Sequence, residues 1–391
     1  MHATRINSFA RRSTAGRFRH MLTCIVAVAA CQVYTASVNA GGMVRVSDGE
    51  SEYEGKVVAL SGTTCSFLDR QGQLLQLNVK TLKSFEKIGP RFRPFATSEM
   101  RDALRKEFPA SYEVSGTTHY LVCAPNGRAA QYAELFENIY RDVEQFFRVR
   151  GFKVHSPDVP LIAVVFKTQT EFVQYCRRDQ VPPSPGLMGY YSLKTNRVAL
   201  FDNANLISSS DTDEHTSDRT ISAFAGISSG TADTIIHEAT HQVGYNIGIH
   251  SRLGGTPIWV VEGLATVLEP AGMRTSSGRH RLEDRINEER VNWFNRQHRP
   301  SRAPGYLARL VASDEFFHQQ TLNSYSESWA FTFFLLENAS RRRNFVTYLQ
   351  NLGDRDATVQ YTAKQRLADF QAAFGDISRL EVEFIRFMDR M

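Results

Sequence analysis

The amino-acid sequence predicts an α+β fold on three observations. Between residues 41 and about 95 it carries short runs of strand-forming residues separated by turn residues, the pattern of a small β module. From about Ser111 to Phe201, apolar strand runs alternate with helical stripes, the pattern of a small mixed sheet. From Thr231 onward the apolar residues recur at helical spacing, so the C-terminal half is expected to be helical.

The chain begins with a basic leader. Residues 1–40 hold five arginines (Arg5, Arg11, Arg12, Arg17 and Arg19) and no acid, and Met21–Ala30 is apolar but short for a bilayer. This reads as an export signal, which puts the protein in the periplasm, the cell envelope or the medium. Two processing routes stand side by side. Val38-Asn39-Ala40 offers a small-residue cleavage site, whereas Val28-Ala29-Ala30-Cys31 resembles a bacterial lipobox and would leave a lipid anchor on Cys31. Of the 391 residues, 46 are basic and 41 acidic; without the five leader arginines the counts are equal. The body of the chain therefore has no electrostatic footprint for nucleic acid. With 42% hydrophobic residues it has material for a sizeable core. Beyond Cys31 only Cys65, Cys123 and Cys176 remain, too few for a disulfide framework, and each reads as a small buried hydrophobe.

In the module, residues 41–95, strands are expected at Gly55–Leu60, Thr64–Leu68 and Gln73–Leu77, with Asp69–Gly72 as a turn. Ile88–Pro94 reads as a linker, and residues 96–110 as a connection with a short helix over Ser98–Phe108. The main domain, 111–391, opens with a strand at Thr118–Ala124 and a helix over Ala129–Val149. A strand at Leu161–Phe166 and a helix over Gln169–Arg178 follow. Gly189–Leu193 and Arg197–Phe201 flank Lys194-Thr195-Asn196 as a hairpin. Residues 207–220, with His215, are polar and read as a solvated loop. Later helices are expected over Leu282–Gln297, Tyr306–Ala312, Tyr325–Glu337, Arg342–Leu352, Ala363–Phe374 and Ile377–Met391.

The chemistry concentrates at His237-Glu238-Ala239-Thr240-His241. Histidines at i and i+4 share one helix face, so both imidazoles can reach one Zn2+ ion. Glu238, between them, is angled toward a water on that ion and is the candidate general base. Ala232, Ile235, Ile236, Ala239, Val243 and Ile247 form an apolar stripe beside them, and Gly248 suits a helix terminator. Thr256 and Pro257 suit the N-cap and first position of a second, apolar helix over Ile258–Leu268. Glu262 is an acid within that apolar run. A buried carboxylate needs a partner, and a metal is a good one. His237, His241 and Glu262 would leave a fourth tetrahedral position for water. Glu269 is seven residues after Glu262 and so on the same face. It can accept the other N–H of a ligand histidine, or stand as a solvated helix end before Pro270.

The segment H-E-A-T-H, 20 intervening residues, then Trp259-Val260-Val261-Glu262-Gly263-Leu264-Ala265 resembles the gluzincin metallopeptidases, and in particular the group related to the M1 aminopeptidases. From about Thr117 to the C-terminus the chain looks like the DUF1570 family of bacterial proteins within that group. The metzincin pattern would require a third histidine at position 247, which is Ile247; His250 comes three residues later.

The resemblance implies a zincin-like catalytic domain with one Zn2+ and a peptide or protein substrate. It also implies a tyrosine at the start of a later helix that donates to the oxyanion. Tyr325 fits that role, although Trp329 stands near a position where the family has a small residue. Tyr325 equally suits a core position with a polar tip. In zincins the last strand before the metal helix often lies at the sheet edge and binds an extended substrate by β-addition; Val198, Ala199, Leu200 and Phe201 are the candidates here. The aminopeptidase G-x-M-E-N signature is absent, so an endopeptidase or an unusual specificity is expected. The rival expectation is a catalytically silent envelope protein of the same fold that binds a peptide or partner; the presence of Glu238 argues against it.

Overall fold

The structure, a computed structural model, describes residues 41–202, 229–274 and 280–391. The leader with Cys31, and the polar segment 207–220 with His215, lie outside the described residues. The described residues form two compact units: those from 41 to 67 with Leu77–Arg93, and Leu68–Gln76 with those from Pro94 to Met391. The fold is α+β, with two five-stranded sheets and a helical C-terminal half. Among the described residues no helix is long and apolar enough to cross a membrane.

The first sheet has the order β4-β3-β2-β1-β5, from β1 (Met43–Ser47), β2 (Glu52–Leu60), β3 (Thr64–Asp69), β4 (Leu74–Asn78) and β5 (Ser84–Gly89). Asp69 closes the β3–β4 turn, its Oδ1 accepting the Gln71 and Gln73 amides at 2.9 and 2.8 Å. β1 and β5 were not expected from the sequence. β5 is Ser-Phe-Glu-Lys-Ile-Gly with no fully buried side chain, so pairing to β1 rather than apolar alternation makes it a strand. It takes Ile88 and Gly89 from the expected linker.

Next come α1 (Thr97–Glu107), β6 (Tyr112–Gly116), β7 (Tyr120–Pro125), α2 (Ala129–Val149), β8 (Leu161–Phe166), α3 (Gln169–Arg178), β9 (Gly189–Tyr191) and β10 (Arg197–Phe201). Their sheet has the order β6-β7-β8-β10-β9, parallel across β7, β8 and β10 and antiparallel at both edges. The central strands are apolar on both faces because both are covered. Val122, Ala163, Val165, Val198 and Leu200 face a core shared with α2, while Cys123, Ile162, Val164 and Ala199 face α1 and α3. Cys65, Cys123 and Cys176 are buried, as their reading as small hydrophobes expects. The Lys194-Thr195-Asn196 turn joins β9 to β10, with Asn196 in the left-handed region at φ 60°.

This order corrects the edge assignment. Val198, Ala199, Leu200 and Phe201 lie on an interior strand, bonded to β8 on one side and flanked by β9 on the other, with every side chain buried. Among the described residues the edge is β9. The hairpin folds back outside the parallel strands, and strand period alone does not reveal which arm is outermost.

The helical half holds α4 (Ser229–Asn246), α5 (Ile258–Leu268), α6 (Ala271–Arg274) and α7 (Glu288–Trp293), which runs into a π turn at Phe294–His298. There follow α8 (Tyr306–Ala312), α9 (Glu315–Gln319), α10 (Thr321–Glu337), α11 (Ala339–Gly353), α12 (Ala363–Phe374) and α13 (Ile377–Met388). Several boundaries differ from expectation, and two of them bear on the site. α7 starts at Glu288, not Leu282, because Asn287 caps it, accepting the Arg290 amide at 3.1 Å. α10 starts at Thr321, so Tyr325 sits in its second turn instead of at its start.

Candidate metal centre

The site is built by α4 and α5. Ile235, Ile236, Ala239, Val243 and Ile247 bury one face of α4 in the core, which leaves His237, Glu238 and His241 at the margin of that face. The helix ends at Asn246, and Gly248 turns the chain at φ 91°. α5 is not capped by Thr256. Pro257 is its N-cap, and the Ile258 amide bonds Asp314 Oδ1 at 3.0 Å. A carboxylate from a distant loop thus does what the local threonine was expected to do.

Three donor atoms converge. His237 Nε2 and His241 Nε2 are 3.0 Å apart, and Glu262 Oε2 is 3.3 and 3.5 Å from them. Donors 2.0–2.1 Å from one tetrahedral ion stand roughly 3.3 Å apart, so this triangle has the size that zinc requires. The two imidazole planes are nearly perpendicular, at 89°, so both nitrogens can face a common point. Two nitrogens and a carboxylate oxygen are also the donor set zinc favours. His250 is not part of this group. It is buried with its amide on the Gly244 carbonyl, and burial, reinforced by His241, lowers its pKa to about 3.

The charges fit a cation. Burial acts to protonate Glu262, but His241 and His237 outweigh it and hold the carboxylate ionised well below its usual range. Burial acts to deprotonate His237, but hydrogen bonds to Glu262 and Glu269 and the Glu238 charge raise it well above its ordinary value. Glu269 Oε1 lies 2.7 Å from His237 Nδ1. Of the two readings of Glu269, it is the contact to the histidine that is present, and Asn287 Nδ2 bonds its other oxygen.

A cleft of about 600 Å³ opens over the centre, with His237, Glu238, Glu269 and Tyr325 in its wall. Tyr325 lies beside Glu262 and Glu238; burial first, then those two charges, raise its hydroxyl far above the ordinary phenol value. The Arg290 guanidinium sits 5.6 Å from its ring centre. Gly186, Leu187, Met188 and Gly189, leading into β9, also line the cleft. A Cβ on Gly189 would come within 2.8 Å of Thr234 Cγ2, so glycine is what lets α4 lie against the edge strand. Met188 and Ser192 bond β10 through Phe201 N and Arg197 O, so by the antiparallel alternation Gly189 and Tyr191 turn their backbone groups away from it.

Residues 231–358 match the family model DUF1570, a protein family of unknown function. No curated protein matches the chain. The DUF1570 match runs from the first turn of α4 past the end of α11. It therefore takes in all three converging donors, Glu238, Glu269 and Tyr325. Asn287 and Arg290 also fall within the DUF1570 span, and sequence reasoning missed both. The available signal was Asn287 followed by Glu288 and Glu289, a cap residue ahead of two first-turn acids.

Proposed function

We propose that the chain is a zinc-dependent peptidase of the gluzincin type, acting on peptide or protein substrates as an endopeptidase. The observation that carries this reading is the His237–His241–Glu262 triangle, with separations of 3.0 to 3.5 Å, whose His237 lines a cleft that Glu238 also lines. When bound by these three residues, zinc supplies a Lewis acid that lowers the pKa of water toward 7 and polarises a carbonyl.

The protein's own groups do the rest. Glu269 accepts the Nδ1–H of His237 and so keeps Nε2 turned toward Glu262 and His241. Glu238 takes the proton of the attacking water and returns it to the leaving amine. A purely structural metal site has no use for that carboxylate. The Tyr325 hydroxyl, kept protonated by its raised pKa, donates to the developing oxyanion. The outward backbone groups of Gly189 and Tyr191 can pair with an extended substrate, largely independent of its sequence.

The test is cleavage profiling of a mixed peptide library with purified, zinc-loaded protein. Cleavage that chelator dialysis removes and zinc restores is expected. Stoichiometric zinc without cleavage would overturn the peptidase reading in favour of a silent peptide-binding protein.

A further inference from the structure

We infer that Asn287 is a positioning residue for the metal centre: it fixes Glu269, and through it His237, while capping the helix that carries Arg290 over Tyr325. This rests on the metal-centre reading above. Asn287 is buried, with both ends of its amide in use. Its Oδ1 accepts the Arg290 N–H at 3.1 Å. Its Nδ2 donates to Glu269 Oε2 and faces the Thr266 carbonyl at 3.4 Å. One side therefore needs an acceptor and the other a donor, which only a primary amide of this length supplies.

The consequence for His237 follows from the carboxylate. Glu269 receives the His237 Nδ1–H on one oxygen and the Asn287 N–H on the other. A carboxylate held at one oxygen can swing about its last torsion; held at both, it presents Oε1 to the imidazole in one orientation. Because the same amide caps α7, the placement of Arg290, 5.6 Å from the Tyr325 ring centre, shares its anchor with His237. His237 and Arg290, which both line the cleft, are thus tied to one side chain.

Two substitutions separate the relay from the cap. Asn287→Asp and Asn287→Ser both keep an N-cap acceptor. The aspartate sets a second carboxylate against Glu269, and the serine is too short to reach it. Three quantities are measured: the zinc dissociation constant by chelator competition, the melting temperature of the metal-free protein, and the downfield Nδ1–H proton resonance of His237 in metal-free protein. Both variants should bind zinc roughly 10–100-fold more weakly. Both should lose the hydrogen-bonded His237 resonance and melt within a few degrees of wild type. Unchanged zinc affinity and an unchanged His237 resonance would reduce Asn287 to a helix cap and overturn the inference. If wild type binds zinc but cleaves nothing, the proposed function fails and this inference stands. If wild type binds no zinc, the proposed function fails and the His237 resonance alone decides the role of Asn287.

Discussion

Gly263 and Thr332 meet with no room between them: a Cβ on Gly263 would lie 2.2 Å from the Thr332 hydroxyl oxygen and 2.7 Å from the Ser328 carbonyl. α5 and α10 therefore touch along bare backbone at the residue next to Glu262. Tyr325 lies seven residues, two helical turns, before Thr332 on the same face of α10. This close crossing is what brings a tyrosine from one helix beside a carboxylate from another.

Gly263→Ala should be destabilising. Alanine would ordinarily gain up to about 1 kcal/mol over glycine in a helix. Here a backbone carbonyl stands in the way, which side-chain rotation cannot relieve, and overpacking costs about 1–3 kcal/mol. A melting temperature several degrees lower is expected, together with weaker turnover as Tyr325 moves away from Glu262. A stability equal to or above wild type would show that the crossing yields easily.

Glu262→Ala removes one of the three converging donors and should weaken zinc retention by orders of magnitude. His250→Ala should leave zinc in place, because that histidine is outside the group and already held neutral by burial. Metal content of the two purified variants decides the matter. Zinc lost from His250→Ala and kept in Glu262→Ala would return a metzincin-like arrangement.

Glu238→Gln and Tyr325→Phe should both keep stoichiometric zinc. The first removes the proton acceptor, and turnover should fall by roughly 10²–10⁴-fold. The second removes one oxyanion donor, and a fall of about 10²–10³-fold is expected in kcat more than in KM. Wild-type kcat in Tyr325→Phe, with zinc confirmed, would leave that ring as core packing; wild-type kcat in Glu238→Gln would remove the basis of the mechanism.

Acid sensitivity should trace in part to Glu327. It is fully buried, 2.8 Å from His298 Nε2 and 2.6 Å from the Arg302 guanidinium. Burial would raise its pKa, but those two partners lower it below the ordinary value. A depressed carboxylate pKa stabilises the fold above the unfolded value of about 4.3, and that stability is lost as pH falls through the folded value. Glu327→Gln removes one of the two carboxylates on Arg302, Glu381 remaining at 2.7 Å, and should cost about 1–3 kcal/mol at neutral pH. The melting-temperature gap to wild type should narrow below about pH 4. A gap that stays constant with pH would mean the loss is one of packing alone.

The chemistry was legible because it is local. His237, Glu238 and His241 lie within one turn of helix, and an acid inside the apolar run of α5 stands out for its burial cost. β8, α3, α8 and α12 have the bounds that their apolar periodicity and flanking breakers predict. Asn287 was hidden because an N-cap is defined by where a helix starts, and the apolar pattern before it read as more helix. β1 and β5 were hidden because short strands are made by their partners more than by their own residues: β1 pairs on both sides, and β5 is an edge held by β1.

By itself, then, the sequence determined the α+β class, and it singled out a candidate metal-ligand triad and a candidate base beside it, features carried by near neighbours in the chain. The tertiary structure decided which strand is the edge, moving it from β10 to β9. It decided that Asp314 rather than Thr256 closes the start of α5. It also brought Glu269 to His237, Asn287 to Glu269 and Tyr325 beside Glu262 and Glu238. Those outcomes depend on contacts between residues tens of positions apart, whose free energy is set by how helices cross and sheets close, and no local pattern of residue types encodes it.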